Sequence, residues 1–322
     1  MTSIPIIHLN DVQSDDPAIR REVVETVRRS CTEIGFLYVD GHGVAPEIIA
    51  RMRGAVVEVF DQPAPVKAAH RITPGDYRGY IPLGFFTPAS GDAAPDQYEG
   101  FKLHLDVAAD DPLREDCDLY GPNLWPEGLE GAKAAVAEYW AALDRVADRL
   151  LRVFGLALGR EEGFFLPFFR QPLTGMTLLH YPAMDGASGG FGIHPHKDSS
   201  AFTILYPDPV GGLLVQTRGG DWIEAEAPEG AFIVNIGDVL EHWSGGVFKS
   251  TPHKVINRSG RERYSFPYFA TPRFDAVIEP AGARSEGYDR QAIRMERWHR
   301  AIIAGNWPDS APIDADIDPR IV

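Results

Sequence analysis

Cysteine, basic charge and long apolar runs are all scarce in this sequence of 322 residues. Cys31 and Cys117 are its only cysteines, which excludes a disulfide framework or a cysteine-based zinc cluster and fits a reducing, cytoplasmic setting. Lysine and arginine number 31 against 46 aspartates and glutamates, a net charge of −15, which excludes a general basic surface for nucleic acid. No apolar run could span a bilayer and the N-terminus does not resemble a signal peptide, so we expect no membrane partner.

Helical periodicity marks the N-terminal and middle parts of the chain. Hydrophobic residues make up 44% of the sequence, enough for a sizeable core. Asp16 and Pro17 are typical of a helix start, as N-cap and first helical residue, and apolar residues then recur at helical spacing as far as Gly35. Further helices are predicted over residues 46–60, 131–158 and 284–306, and short strands over 4–9 and 36–39. Residues 64–125, rich in proline, glycine and aspartate, are predicted to be irregular.

Short β-type runs separated by glycine, proline and aspartate fill the rest of the second half. They cover residues 175–181, 191–196, 202–206, 213–216, 222–224, 231–236, 253–257 and 264–270. Many short strands at close spacing favour a sandwich or closed double sheet. We therefore predict a mainly β protein with a helical N-terminal portion. Its segments are an N-terminal region over 1–125, a connecting helix over 126–173, a β core over 174–275 that carries the chemistry, and a C-terminal helix and tail over 276–322.

Two histidines and an aspartate in this β core have the composition of a metal site. His196 and Asp198 are two positions apart and would share one face of an extended strand, and His253 follows 55 positions beyond Asp198. Two imidazoles and one carboxylate form the facial triad of non-haem Fe(II) oxygenases, which leaves open positions on the metal. His194 leaves a second interpretation open, because His194 and His196 could form a different ligand pair.

An Arg-x-Ser pair follows the last of these residues. Arg263 and Ser265 lie ten and twelve residues after His253 and share a strand face. A guanidinium offers two parallel N–H donors to a carboxylate, and a neighbouring hydroxyl adds a third. A metal site with open positions beside a carboxylate clamp suits an anionic chelator.

Several stretches of the sequence resemble the Fe(II)/2-oxoglutarate dioxygenase superfamily, in its branch with isopenicillin N synthase. In the β core they are LLHYP at 178–182, HKDSS at 196–200, GLLVQ at 212–216, VNIGD at 234–238 and FKSTPHKV at 248–255. In the N-terminal half they are IPII at 4–7, GFLYV at 35–39, GHG at 41–43 and YRGY at 77–80. The similarity covers roughly residues 4 to 275.

The resemblance implies a double-stranded β-helix, or jelly-roll, core and a set of site residues. It implies that His196, Asp198 and His253 bind Fe(II), and that Arg263 and Ser265, with Tyr181, bind the far carboxylate of the co-substrate 2-oxoglutarate. The implied activity is oxidation of a small-molecule metabolite by O2, through hydroxylation, desaturation or ring closure, with succinate and CO2 as co-products. The presence of Asp198 argues against the halogenases of the family, which have a small residue there.

Leu179 departs from the pattern of the plant members, which commonly have asparagine at that position. The departure keeps open an alternative, a 2-oxoglutarate-independent iron oxidase of the isopenicillin N synthase or 1-aminocyclopropane-1-carboxylate oxidase type. In that case Arg263 and Ser265 would bind the substrate's own carboxylate. An alternative of another class is a non-catalytic jelly-roll binding protein, which the intact triad and clamp make unfavourable.

Other residues have two interpretations each. Arg78 and Lys102 could contact a substrate carboxylate or be structural charges. His242 and Trp243 could reach the pocket or simply pack. Asp238 follows a glycine and is interpreted as a structural turn residue.

Overall fold

The computed structural model of the chain describes residues 3–86, 94–184 and 191–306. The helices within these ranges are α1 Pro17–Glu33, α2 Pro46–Phe60, α3 Ala64–Ala68, α4 Leu113–Asp116, α5 Glu130–Ala157, α6 Asp238–Trp243 and α7 Met295–Gly305, with 3-10 turns at Leu9–Gln13 and Leu166–Phe169. Among these described helices, none is both long and apolar enough to cross a membrane. The tail of the predicted C-terminal segment, residues 307–322, lies outside the described residues.

Fifteen strands are present in the described ranges. They are β1 Ile6–His8, β2 Phe36–Asp40, β3 Gly79–Ile81, β4 Glu99–His104, β5 Gly175–Tyr181, β6 Ile193–His196, β7 Phe202–Leu205, β8 Leu213–Gln216, β9 Trp222–Glu224, β10 Phe232–Ile236, β11 His253–Val255, β12 Arg263–Ser265, β13 Tyr268–Ala270, β14 Val277–Ile278 and β15 Ile293–Arg294. A large sheet has the order β1-β2-β10-β7-β13-β5-β4-β3, with β12 also paired to β5. A smaller sheet has the order β6-β11-β8-β9.

The two sheets face each other, and side-chain alternation along β2 shows how. Phe36 and Tyr38 belong to an apolar cluster shared with Val215 and Val255 of the small sheet. Leu37 and Val39 point the other way, into the cluster formed with the helices. Successive strand residues project to opposite faces, so we call the side of the large sheet that bears Phe36 its inner face. Because α1, α2 and α5 cover the outer face, the central strands are buried on both sides.

Local sequence signals account for the helix boundaries. The Asp16 carboxylate accepts a hydrogen bond from the Ala18 N–H at 2.8 Å, and Pro17 occupies the first helical position of α1. Gly35 follows the helix with φ +69°, and a Cβ there would lie 2.0 Å from the Lys249 carbonyl oxygen. Only glycine allows both the left-handed conformation and this close approach.

Several predicted boundaries are wrong. The stretch 64–125 is not irregular throughout, because it contains α3, α4, β3 and β4. The last helix begins at Met295 rather than at residue 284. The predicted strand 264–270 is interrupted at Pro267, which has no N–H for a continuous ladder, and forms β12 and β13 instead.

The outer face of β4 carries a buried ionic network. The Glu99 carboxylate accepts hydrogen bonds from Lys67 Nζ at 2.8 Å and from the Tyr80 hydroxyl at 2.7 Å, and it lies 2.8 Å from His180 Nδ1. Burial alone would raise the pKa of Glu99, but these partners outweigh it and lower the pKa to about 2. The network ties α3 and β3 to β4 and β5.

Candidate active site

Three side chains that the sequence suggested as metal ligands lie together between the two sheets. One potential ligand atom from each of His196, Asp198 and His253 falls within 4.8 Å of the others. Asp198 Oδ1 is 3.9 Å from His196 Nε2 and 3.7 Å from His253 Nε2. A divalent cation with ligand bonds of about 2 Å fits between atoms at these separations. His194 is not part of this group.

The two histidines are brought together by strand pairing. β6 and β11 are antiparallel, and His253 is directly opposite His196 in the ladder, so the ring centroids are 4.3 Å apart. β6 ends at His196, and the expectation that Asp198 shares this strand is therefore wrong. Asp198 lies in the loop that follows, where Asp238 N–H donates to its carbonyl oxygen at 2.7 Å.

Backbone carbonyls orient both rings. His196 Nδ1 lies 2.8 Å from the His194 carbonyl oxygen, and His253 Nδ1 lies 3.1 Å from that of Thr251. A carbonyl can only accept, so each Nδ1 carries a proton, and each Nε2, which is directed at Asp198, is the ring atom left to bind a metal. Burial, with the neighbouring His253, lowers the pKa of His196 to about 4, which keeps that imidazole in the neutral form that binds metals.

Asp198 uses its two carboxylate oxygens differently. Oδ1 faces the imidazoles, whereas Oδ2 accepts hydrogen bonds from Thr203 Oγ1 at 2.5 Å and Asn235 Nδ2 at 2.8 Å. Burial acts to raise the pKa of Asp198, but the imidazoles and these two donors together lower it. The carboxylate is therefore ionised, with one oxygen held by the protein and the other free for a cation.

Sequence reasoning missed Thr203 and Asn235. They are cross-strand partners on β7 and β10, so their side chains project to the same side of the large sheet. A signal was available for Asn235, which is the polar residue in the otherwise apolar run FIVNI at 232–236. A buried polar side chain in an apolar strand requires a hydrogen-bond partner.

The predicted carboxylate clamp is assembled on the inner face of the large sheet. β12 pairs with β5 so that Arg263 is opposite Tyr181 and Ser265 is opposite Leu179. The Arg263 guanidinium lies over the Tyr181 ring, 4.8 Å from its centroid. Burial raises the pKa of Tyr181 to about 12, so its phenol remains protonated and able to donate.

Arg263 has unused hydrogen-bonding capacity. Its Nε donates to the Gly211 carbonyl oxygen at 2.8 Å. Its Nη1 is buried and has no hydrogen-bond partner among the described residues. A buried unpaired guanidinium N–H is costly, and a carboxylate oxygen is the partner that its fork geometry suits.

The remaining candidates lie in different surroundings. His194 bonds Asp96 through its backbone N–H and through Nδ1, at 2.9 and 2.6 Å. His242 Nδ1 lies 2.6 Å from the Tyr288 hydroxyl. Trp243 packs among phenylalanines on the outer side. Burial raises the pKa of Asp238 to about 6.

Arg78 and Lys102 differ in their partners. Arg78 is buried, donates from Nη2 to the Leu119 carbonyl oxygen at 2.6 Å and pairs with Asp76 at 3.5 Å, while its Nε has no hydrogen-bond partner among the described residues. Lys102 lies on β4, within the stretch predicted to be irregular, although Phe101 and Leu103 alternate with polar residues there.

Family models and curated proteins match most of this sequence. The family model "non-haem dioxygenase in morphine synthesis N-terminal" matches residues 4–128, and the model "2OG-Fe(II) oxygenase superfamily" matches residues 173–272. A "2-oxoglutarate-Fe(II) type oxidoreductase" of Aspergillus fumigatus is 35% identical, over 85% of this chain and 84% of that protein. A homoarginine-6-hydroxylase of Arabidopsis thaliana is 31% identical, over 93% of this chain and 94% of that protein.

Solved structures share the fold. A Neurospora crassa protein crystallised with alpha-KG and thymine has a TM-score of 0.83 at 24% identity, covering 94% of this chain and 97% of its own. JOX2, crystallised with 2OG, Fe and JA, has a TM-score of 0.76 at 28% identity, covering 92% of this chain and 83% of its own. The predicted fold, with a jelly-roll core and added helices, is confirmed.

Proposed function

Because this chain belongs to the 2OG-Fe(II) oxygenase superfamily, in the family of 2-oxoglutarate-dependent dioxygenases, we propose that it oxidises a small-molecule metabolite. The outcome of that oxidation is hydroxylation, desaturation or ring closure. O2 would be the oxidant, with two electrons supplied by 2-oxoglutarate, which leaves as succinate and CO2, and two by the substrate, and bound Fe(II) would supply the redox chemistry that activates O2. We place the reaction in the cytoplasm, in keeping with two buried free thiols, Cys31 and Cys117.

His196, Asp198 and His253 would hold the iron. Their donor set, two neutral imidazoles and one carboxylate, suits Fe(II) and leaves positions for other ligands. The hydrogen bonds at both Nδ1 atoms and at Asp198 Oδ2 fix the direction of all three donors before any metal arrives.

Arg263, Ser265 and Tyr181 would hold the far carboxylate of 2-oxoglutarate. The observation that carries this assignment is the buried and unpartnered Nη1 of Arg263 on the inner face. The Tyr181 phenol and the Ser265 hydroxyl lie at neighbouring register positions and offer further donors. Arg263 would thus orient the co-substrate, while the apolar cluster around it excludes water.

Leu179 supports a second candidate function. It is directly opposite Ser265 and buried, so an apolar side chain stands where plant members commonly provide an amide. In an oxidase without 2-oxoglutarate, the same Arg263 would bind the carboxylate of the primary substrate. The relatives named as 2-oxoglutarate enzymes favour the first function.

A combined titration and turnover experiment separates the two candidates. Purified protein is titrated anaerobically with Fe(II) and 2-oxoglutarate while the visible iron–keto-acid absorption band is followed, and O2 uptake and succinate are then measured. The first function predicts a band and slow succinate release in the wild type, with about 100-fold weaker 2-oxoglutarate binding in Arg263→Met. Arg261→Met, at an exposed arginine two residues before β12, is the matched control. Iron binding without band or succinate would instead support the second function.

A further inference from the structure

We propose that Lys102 binds a carboxylate of the primary substrate, so that this enzyme acts on a small monocarboxylic acid with an apolar skeleton. The inference rests on the proposed function and deepens it. It is carried by an ammonium group with no counter-ion among the described residues, placed on the inner face of the sheet that also orients Asp198.

The register of the large sheet places Lys102 on that face. Thr203, which bonds Asp198, is the ladder partner of Phe269, and Phe269 is in turn the partner of Gly175. Gly175 is opposite His104 on β4. Ladder partners project to the same face, and Lys102 is two positions from His104, so it shares that face. Asp198 acts electrostatically on Lys102, in agreement with this placement.

The Lys102 ammonium is surrounded by rings. Its Nζ lies 4.6 Å from the centroid of the Tyr77 ring and 5.8 Å from that of Phe269. Burial lowers the pKa of Lys102 to about 8, and Asp198 opposes this effect, so most of the group is still charged at pH 7. Lys102 is half-buried, and an ammonium group that is partly withdrawn from water without an ion pair is stabilised by a ligand that brings a negative charge.

Lys67 shows what a structural lysine looks like in this fold. Its Nζ lies 2.8 Å from Glu99 Oε2 and 2.9 Å from the Phe60 carbonyl oxygen. Both lysines contact aromatic rings, but Lys67 lies on the outer side with an ionic partner. Lys102 faces the site, and no ion pair or hydrogen bond joins its Nζ to any described residue.

Charge counting leaves Lys102 without a counter-charge, because Arg78, another cation that acts on His104 and His299, is paired with Asp76 at 3.5 Å. The two positive charges of Fe(II) and the one of Arg263 would be cancelled by the Asp198 carboxylate and the 2-oxoglutarate dianion. Asp96, another carboxylate near the site, is engaged by the backbone N–H and ring of His194. One negative charge on the substrate would therefore neutralise the site.

The neighbours of Lys102 also favour a negatively charged substrate. His104 and His299 lie beside it with their ring centroids 5.5 Å apart. Burial lowers the pKa of both, for His299 to about 3, and the Lys102 charge adds to the effect. Neutral imidazoles cannot serve as counter-ions. The Tyr77 and Phe269 rings suit an apolar body attached to the carboxylate.

The test uses matched acids and amides. Phenylacetate with phenylacetamide, and hexanoate with hexanamide, are titrated into the protein with Fe(II) and saturating 2-oxoglutarate. The readouts are the change in the anaerobic absorption band and the stimulation of succinate release. We expect at least one acid to bind about 10- to 100-fold more tightly than its amide in the wild type. That preference should disappear in Lys102→Met and be partly retained in Lys102→Arg.

Two controls make the result specific. Lys133→Met removes an exposed charge from α5 and should keep the preference for acids. An acid that competes at Arg263 would abolish the band, whereas one bound at Lys102 would perturb the band and leave it present.

The outcomes separate the inference from the proposed function. Absence of any band in the wild type would overturn the proposed function, and this inference with it. A band without any preference for acids, or the same preference in Lys102→Met, would overturn only the role of Lys102. A large fall in the melting temperature of Lys102→Met, with no preference for acids in the wild type, would indicate a structural role for Lys102 and overturn its role in binding substrate.

Discussion

Replacing Thr203 by valine tests how the protein prepares Asp198 for a metal. Valine keeps the shape of threonine but removes the hydroxyl that donates to Asp198 Oδ2 at 2.5 Å. Both residues are buried, with 3% and 7% of their surfaces exposed, so water cannot replace the lost donor. Asn235 remains as the second donor to the same oxygen.

The expected loss is moderate and specific. Removing one partner that orients a metal ligand typically weakens metal binding by about 10- to 100-fold, or about 1.4 to 2.8 kcal/mol. We expect Thr203→Val to lie near the lower limit because Asn235 stays, and Thr203→Val with Asn235→Ala to approach the upper one. The free energy of unfolding of the metal-free protein should also fall, by about 1 to 3 kcal/mol, because a hydrogen bond to a charged group is lost.

The assay is an anaerobic Co(II) titration followed by absorbance, with urea unfolding of the same samples. Thr271→Val is the matched control, because Thr271 is a buried threonine whose hydroxyl donates to a backbone carbonyl instead. It should lose stability and keep its affinity for Co(II). If Thr203→Val binds Co(II) as tightly as the wild type while Asp198→Ala does not bind it, the proposed orienting role is refuted.

Three further predictions concern the metal group and its support. His196→Ala should abolish Co(II) binding and succinate release, whereas His194→Ala should keep Co(II) affinity within about threefold; equal loss in both would make His194 a ligand. Glu99→Gln should lower the free energy of unfolding at pH 7 by about 2 to 3 kcal/mol. The folded pKa of Glu99 is depressed to about 2, so the ionised carboxylate stabilises the fold at pH values above its unfolded pKa. The difference in the free energy of unfolding between wild type and variant should shrink as the pH falls from about 4.5 towards 2. A difference that does not change with pH would contradict this. Gly237→Ala would place a Cβ 2.1 Å from the Ser200 carbonyl oxygen and 2.8 Å from that of Asp198. Urea and Co(II) titrations should therefore show losses of both stability and metal affinity. Unchanged values would show that the loop after β6 can move away from the new Cβ without cost.

Elements with strong local signals were predictable from the sequence. The helix over Pro46–Phe60 and the strand over Gly175–Tyr181 are confirmed to the residue. Each combines a clear boundary signal with an unbroken apolar pattern. The three triad residues were recognisable from their type and order, and the structure brings their side chains together. Their assignment as ligands stays a prediction.

Features that depend on distant pairing were not predictable. β4 forms its ladder with β5, more than seventy residues further along the chain, and its own composition gives only a weak strand signal. The bonds from Thr203 and Asn235 to Asp198 arise from the register of β7 with β10 and from the path of the loop after β6. Periodicity within one segment contains no information about either.

The strand order of the large sheet has a consequence for the modularity of the chain. β10, β7, β13 and β5, from the second half of the chain, form its middle, while N-terminal strands lie on both flanks, β1 and β2 beyond β10 and β4 and β3 beyond β5. Cutting the chain to its second half would expose two apolar sheet edges at once, and such edges promote aggregation. The jelly-roll core therefore holds all the proposed site residues but is not an independently folding domain. Exchanging such cores between relatives would require the N-terminal strands on both flanks to be transferred with them.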